Sequence, residues 1–479
     1  MKKTFKIVYS ALFFAVCAAP LALMPFVQSN AEIEKKALAE MPSLVSDGKL
    51  NNDFSDQFES WYNDRLPLRS QLLSAANYVK SGLLTSPSSN VITGSDGWIF
   101  FETDKLDYMN TNALPESRIR ATAVTLSLIE ENVTSRGGSF TFVPMPNKAS
   151  VYSEHFPSCY TKERLNNLTR ICRELDGLGV NYVDMLGLMT ENKSMGLYHK
   201  RDSHWNYLGA LLGYNAIMDS LAHPHKTYDN ASYSYEKTWR GDLDKLLYPS
   251  GGFMDWQYNF DIDFDEFMFT FPAGVEDTQA QLEIFMSDKE ENDTRISTKQ
   301  LEGEASGRLY MVRDSFGRAL LPFMIDNYAS AMFVRTDCPE LTTVADGTDM
   351  VYEIVERNLA NVTATAPFMF APERNAVASG EAAPQLEEVT VSDEGYGVRI
   401  YGTLPEDFDG SRVYVRLTNG PEEKVFEAFP IFERKLIGRD SDENGFSMIL
   451  SPSEELSGEY TVSVIAGGRE YPTGKTLTK

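Results

Sequence analysis

The stretch Leu309-Tyr310-Met311-Val312-Arg313-Asp314-Ser315-Phe316-Gly317-Arg318 runs from an apolar segment straight into Asp-Ser and then into residues of helical character. A short apolar run bounded by polar residues reads as a buried strand. A serine at a strand-to-helix junction stands at the C-terminal edge of a sheet, where open α/β folds place their sites. Backbone N–H groups at the start of the following helix can stabilise an oxyanion there. Asp-Ser ahead of a helix also suits an ordinary N-cap, so this stretch alone leaves both roles open.

Upstream and downstream the same alternation continues. The patterns predict a helix over 117–134, a strand Ser139–Val143, a helix over 161–177, a strand Asn181–Asp184 and a helix over 206–221. A polar and aromatic insertion (223–305) precedes the quoted strand, and apolar runs at Ala331–Val334 and 350–355 follow it. Strands alternating with helices imply an α/β domain, a three-layer parallel sheet covered on both faces, over 91–370. Ahead of it, 32–90 reads as a polar helical segment in which Phe54, Phe58, Trp61 and Tyr62 recur at helical spacing. Residues 91–101 (VITGSDGWIFF) read as a hairpin turning at Asp96-Gly97. Residues 371–388, rich in Ala, Pro, Gly and Glu, read as a linker. Short alternating runs beyond it, from Val389–Val391 to Tyr460–Ile465, predict a small all-β sandwich of immunoglobulin type over 389–479.

The chain has 479 residues and a formal net charge of −25. That charge argues against binding nucleic acid and against docking on anionic lipid headgroups. At the N-terminus Lys2, Lys3 and Lys6 precede an uncharged run over 7–27, so 1–31 reads as a signal peptide or a membrane anchor. Both readings put residues 32 onward outside the cytoplasm, anchored to the membrane or secreted. One Cys159–Cys172 disulfide is open to an oxidising compartment. No Cys or His cluster has zinc-site spacing, and no metal or cofactor is expected.

The second chemical feature is Leu197-Tyr198-His199-Lys200-Arg201-Asp202-Ser203-His204-Trp205-Asn206, just ahead of a helix. On an extended segment Asp-x-His puts both side chains on one side. Asp202 can then accept from one imidazole nitrogen of His204 and leave the other free as a general base. An N-capping Asp with a packed His is the plain alternative; the coincidence with Ser315 favours chemistry. Val143-Pro144-Met145-Pro146-Asn147-Lys148 ends another strand, and Asn147 is a candidate oxyanion donor. His199 and Arg335 are candidate substrate contacts. Trp98, Trp205, Trp239 and Trp256 could stack on sugar rings or simply fill the core.

Taken in order, Trp61 to Arg69, Gly94 to Phe100, Val143 to Lys148, Asp202-Ser203-His204-Trp205, Gly241-Asp242-Leu243 and Asp314-Ser315-Phe316 resemble a known pattern. It is that of the DHHW proteins and the related alginate O-acetyltransferase domain (AlgJ/AlgX-type), which are SGNH-hydrolase-like. The resemblance covers most of 30–370. It implies that Ser315 is the nucleophile, His204 the general base and Asp202 its orienting acid, in a permuted order with Asp and His ahead of Ser. It also implies an acetylated polysaccharide of the cell envelope as substrate. Ser203 departs from the motif, standing where the first His of DHHW would be. The acyl acceptor would be a sugar hydroxyl, giving an O-acetyltransferase, or water, giving an acetyl esterase. A transferase would need acetyl groups from a membrane-bound acyltransferase partner. A non-catalytic polysaccharide-binding scaffold with a degenerate site is the reading from a different class.

Overall fold

The structure, a computed structural model, describes residues 2–24, 39–46, 49–82, 88–229, 231–262, 264–271, 294–303, 305–375, 381–432 and 444–479. Helix α1 (Lys2–Leu23) carries Pro20 inside it. Among the described residues no helix is long and apolar enough to cross a membrane, so the expected anchor has no support in the structure. The polar segment that follows forms α2 (Phe54–Arg65) and α3 (Arg69–Gly82). The expected aromatic row on α2 is real, with the Phe58 ring 5.8 Å from Phe54 and 5.4 Å from Trp61. Strands β1 (Val91–Thr93) and β2 (Ile99–Phe101) make the expected hairpin. Asp96 (φ 52°) and Gly97 (φ 79°) take the left-handed conformations that this turn demands.

The α/β body adds α4 (Glu116–Ser135), β3 (Phe140–Met145), α5 (Asn167–Leu178) and α6 (Tyr207–Ser220). Helix α5 starts later than its pattern suggested because the Asn166 side chain caps it, accepting from the Thr169 N–H at 3.1 Å. Asn181–Asp184 is not a full strand: Tyr182 makes a single parallel bridge to Phe142. Asp184 then turns the chain into a helix by accepting from the Gly187 N–H.

The insertion contributes the hairpin β4 (Tyr233–Trp239) and β5 (Asp255–Phe260), then β6 (Phe267–Thr270) and β7 (Arg295–Gln300). The quoted apolar run is β8 (Arg308–Arg313), followed by β9 (Ser330–Arg335) and β10 (Thr348–Val355). The main sheet runs β3-β10-β8-β9-β7-β6. The first four strands are parallel as expected. The insertion adds two antiparallel strands at one edge, so the sheet is mixed. Along β6 buried Phe267 and Phe269 alternate with exposed neighbours, the pattern of an edge with one wet face. Leu309 and Met311 of β8 pack in the same core cluster as α6 residues, whereas Tyr310 and Val312 join the cluster containing α4 and α5 residues. β8 therefore sits at the centre of three layers.

The C-terminal region forms β11 (Val389–Asp393), β12 (Val398–Thr403), β13 (Val413–Asn419), β14 (Glu422–Ile431), β15 (Gly445–Leu450), β16 (Glu459–Ala466) and β17 (Arg469–Thr478). Strand β14 pairs with β13 along its first part and with β15 at Phe429–Ile431, so two layers join into one curved sheet around a single core. Strand β17 has no apolar run to announce it; Tyr471 and Leu477 are its buried apolar side chains. Cys159, Cys172 and Cys338 are free thiols, so the disulfide considered for the first two is not formed. Cys172 instead packs against the α4–α5 core, and burial pushes its thiol up to about 12.

The all-β region docks on α4, with Phe429 and Ile431 in the same apolar cluster as Ile119 and Leu126. Beside them Glu427, 2% exposed, receives Arg374 at 2.6 Å and Arg412 at 2.5 Å. Arg374 also bridges to Glu131 of α4 at 2.6 Å. Removing one partner of a buried pair leaves an uncompensated charge. Arg374→Met is expected to destabilise the protein by about 2–3 kcal/mol, less than the loss of a sole partner because Arg412 remains. A denaturant melt with an unchanged midpoint would contradict this.

Candidate active site

Strand β8 delivers Ser315 to the C-terminal edge of the sheet's centre. The turn is held by Asp314, which accepts from the Phe316 N–H (2.9 Å) and the Val355 N–H (2.8 Å) and donates its own N–H to Glu353 (3.0 Å). Gly317 is required here: a Cβ would come within 2.6 Å of the Arg313 Cβ. A short 3-10 helix, Phe316–Leu320, follows rather than a regular α-helix.

The segment 199–206 meets this turn. His204 Nε2 lies 2.8 Å from Ser315 Oγ, and His204 Nδ1 lies 2.7 Å from Asp202 Oδ1. A carboxylate only accepts, so Nδ1–H donates to Asp202 and the Nε2 lone pair faces the serine hydroxyl. Asp202 is 1% exposed. Its oxygens take the His204 N–H (3.0 Å), the Trp239 Nε1–H (2.9 Å) and the Asp242 N–H (2.9 Å) besides the imidazole. Burial alone would raise Asp202, but the His204 charge and these hydrogen bonds outweigh it and hold the carboxyl well below the usual range.

Asp242, Lys148 and Trp239, none of them read as catalytic from the sequence, shape this centre. Asp242 accepts from the Ser203 N–H at 2.7 Å and the Ser203 hydroxyl at 2.5 Å, with His204 Nδ1 at 3.7 Å. Burial and the Asp202 charge push it up to about 6. Gly241 before it touches the backbone of Arg201 so closely that a Cβ would meet that carbonyl at 2.1 Å. Ser203, the departure from the DHHW motif, is thus matched to Asp242. Lys148 is fully buried and donates to the carbonyls of His199, Lys200 and Asp202, locking the loop. Burial pushes it down to about 8 against the pull of Asp202 and Asp242. Trp239 also stacks on His199, centroids 5.1 Å apart.

Ser315 and His204 open onto a small cleft of about 40 Å³, whose walls include His199, Trp239, Gln257 and Arg318. His199 lies in its wall; it is 2% exposed, its Nδ1 lacks a hydrogen-bond partner, and burial pushes it down to about 4. Asn147 and Arg335 do not line the cleft. Asn147 is wholly buried and gives its side-chain amide to Asp107 at 2.9 Å, because the β3 end turns it into a polar cluster with Glu356 and Arg357. Arg335 is exposed at the end of β9, in register with Arg313. Trp98 and Trp205 are core side chains; the latter donates to the Phe316 carbonyl at 3.0 Å. Asp202, His204 and Asp242 offer ligand atoms within 4.8 Å of one another, a spacing a metal ion could use. Their oxygens are already engaged by N–H and O–H donors, which makes the set a hydrogen-bond network around the imidazole.

The body thus carries a strand-borne serine, an Asp-x-His ahead of it in the chain and a mostly parallel sheet. Residues 91–256 match the family model described as SGNH hydrolase-like domain, acetyltransferase AlgX. The probable alginate O-acetylase AlgJ of Pseudomonas aeruginosa is 24% identical over 212 residues, 41% of this chain and 51% of that protein. The chain thus spans about half the length of that curated relative. Among solved structures, a DHHW family protein from Eubacterium siraeum shares 15% identity over 57% of this chain and 92% of its own (TM-score 0.43). PatB1 of Bacillus cereus shares 16% over 56% and 96% respectively (TM-score 0.45).

Beneath the site, burial pushes Asp104 and Glu356 each up to about 7. With Asp242 at about 6, three carboxyls have folded values above their unfolded ones. Their stabilisation is present below the unfolded values and is lost as pH rises through the folded ones. His199, depressed, opposes them only between about 4 and 6.5. The melting temperature is therefore expected to fall from pH 5 to pH 7.5, and Asp104→Asn to shrink that fall; an unaltered slope in the variant would be the wrong result.

Proposed function

We propose that this chain is an exported serine-dependent O-acetyltransferase acting on a cell-envelope or secreted polysaccharide through Ser315, His204 and Asp202. The observation that carries the reading is the continuous run from serine hydroxyl to imidazole to buried carboxylate, at 2.8 and 2.7 Å. The resemblance to a probable alginate O-acetylase supplies the acyl group and the class of acceptor.

In the first half-reaction Ser315 Oγ attacks the carbonyl carbon of an acetyl ester, and its proton passes to His204 Nε2. The tetrahedral intermediate collapses, the C–O bond to the donor breaks, and the leaving oxygen takes the proton back from the imidazolium. In the second half a sugar hydroxyl gives its proton to His204 and attacks the acetyl-serine; the bond to Ser315 Oγ breaks, and that oxygen takes the proton back from the imidazolium. Asp202 stays ionised throughout, orienting the ring and stabilising its positive charge. The Phe316 N–H is already given to Asp314, so the oxyanion falls to other donors of the turn, and the Arg318 cation in the same cleft is a candidate. Export follows from the basic N-terminus and the uncharged run behind it, and acetyl groups would come from a membrane-bound acyltransferase.

The His204 side chain is 17% exposed, so water can reach the same base; water as acceptor makes the chain an acetyl esterase. A simple acetyl-ester assay comes first. Ser315→Ala is expected to abolish turnover and Asp202→Asn to lower it by roughly 10³-fold or more. Equal rates in wild type and Ser315→Ala would sink the enzyme reading. Mass spectrometry of an oligosaccharide incubated with the ester then separates the outcomes: acetylated sugar supports the transferase, free acetate alone the esterase.

A further inference from the structure

The hairpin β4–β5 has an inverted pattern of burial. Its register sets Tyr233 opposite Phe260 and Tyr235 opposite Tyr258. The Trp256 ring lies on Tyr235, centroids 4.8 Å apart and planes 19° from parallel. Tyr235 is 4.5 Å from Tyr258, and Tyr233 is 5.5 Å from both Tyr258 and Phe260. Strand alternation therefore puts these rings on one face and Ser234, Gln257 and Asn259 on the other. The polar face is turned inward at Asp255 and Gln257, while Ser234, Glu236 and Asn259 are exposed. Asp255 accepts from the Arg201 N–H at 3.0 Å, and Gln257 is buried in the wall of the cleft. On the aromatic face Tyr233, Tyr235 and Trp256 are exposed by 57%, 49% and 45%, Tyr258 is half-buried, and Phe260 closes the inner end by packing on Phe323, centroids 5.4 Å apart. Hairpins ordinarily bury their apolar face; this one buries an amide and a carboxylate and displays three of its rings.

We propose that this face is a platform for an uncharged polysaccharide chain, holding the polymer beside the cleft that the other face of the same hairpin walls. The proposal rests on the reading that the cleft works on a glycan, and it narrows that glycan's charge. Sugar rings present flat C–H faces that stack on aromatic planes, and the tyrosine hydroxyls can meet the sugar hydroxyls around them. From Trp256 to Tyr233, which stands opposite Phe260, the exposed row extends about 13 Å, four strand steps, which is the length of two or three sugar units. The strands YSYEKTW and DWQYNF contain no Leu, Ile, Val, Met or Arg, the side chains that a protein partner's surface would add. The two strands carry a single lysine, Lys237, and two acids, Glu236 and Asp255, with no guanidinium to pair a carboxylate or a sulfate, and the chain's net charge is −25. A polyanion is thus disfavoured.

Electrophoresis of the full chain through native gels containing glucomannan, mixed-linkage β-glucan or alginate tests this. Wild type and Ser315→Ala are expected to be slowed alike, at least twofold, by glucomannan or β-glucan and not by alginate. The double variant Trp256→Ala/Tyr235→Ala, checked for an unchanged melting temperature, should migrate as in a blank gel; Tyr233→Ser, farther along the row, should lose part of the retardation. The platform is refuted if neither neutral glycan slows the wild type, if alginate alone does, or if the variants are slowed as much as wild type. A wild-type dimer that the double variant dissolves would also refute it, since the face would then be an interface between copies. Binding is read without turnover, so a failed ester assay and a failed platform are separate results.

Discussion

The buried charge of Asp202 is the constraint around which the site is organised. A carboxylate out of contact with water is costly unless its lone pairs are filled. Here four N–H groups fill them, from the His204 ring and backbone, from Trp239 of the insertion and from the start of the helix at Asp242. Lys148, at the end of β3, holds the backbone carbonyl of the same residue. One charge thus ties together the 199–206 loop, the insertion and the sheet, and it sets which nitrogen of His204 faces Ser315.

Two supports of different origin meet at the cleft. The serine comes from the central strand, on a turn stapled by Asp314 to the neighbouring strand β10. The base, its acid and the far wall come from loop and insertion, whose polar side chains turn inward to satisfy one another. Arg201 makes the same point: its guanidinium pairs with fully buried Asp244 at 2.6 Å while its backbone N–H goes to Asp255. The insertion is therefore part of the site's frame, and its hairpin has one face for the cleft and one for the surroundings.

Periodicity carried much of the sequence reading. Strands β3, β8, β9 and β10 and helices α4 and α6 are long, regular and bounded by clear signals, so their positions were legible. The pairing of Asp202 with His204 was legible too, because a two-residue spacing is a local feature; Ser315 stood out through the resemblance, since Asp-Ser ahead of a helix suits an ordinary cap equally well. What escaped depends on distant partners. Asn147 looks like an oxyanion donor at a strand end, yet Asp107 claims its amide. Nothing local marks Lys148 as buried; three carbonyls from another loop converge on it. Strands β6 and β7 and the bare bridge at Tyr182 are set by pairing across the sheet, which no local pattern records. Trp239 and Asp242 gained their roles only when the insertion folded over Asp202.

The claim on which the rest stands is that His204, aligned by Asp202, makes the Ser315 hydroxyl a nucleophile. Intact-mass measurement after exposure to a serine-directed sulfonyl fluoride reads that property directly, without knowledge of donor or acceptor. One sulfonyl group is expected on the wild-type chain, located to Ser315 by peptide mapping, with labelling slowed at least a hundredfold in His204→Ala. An unlabelled wild type, a label on another residue, or equal labelling in His204→Ala would contradict it.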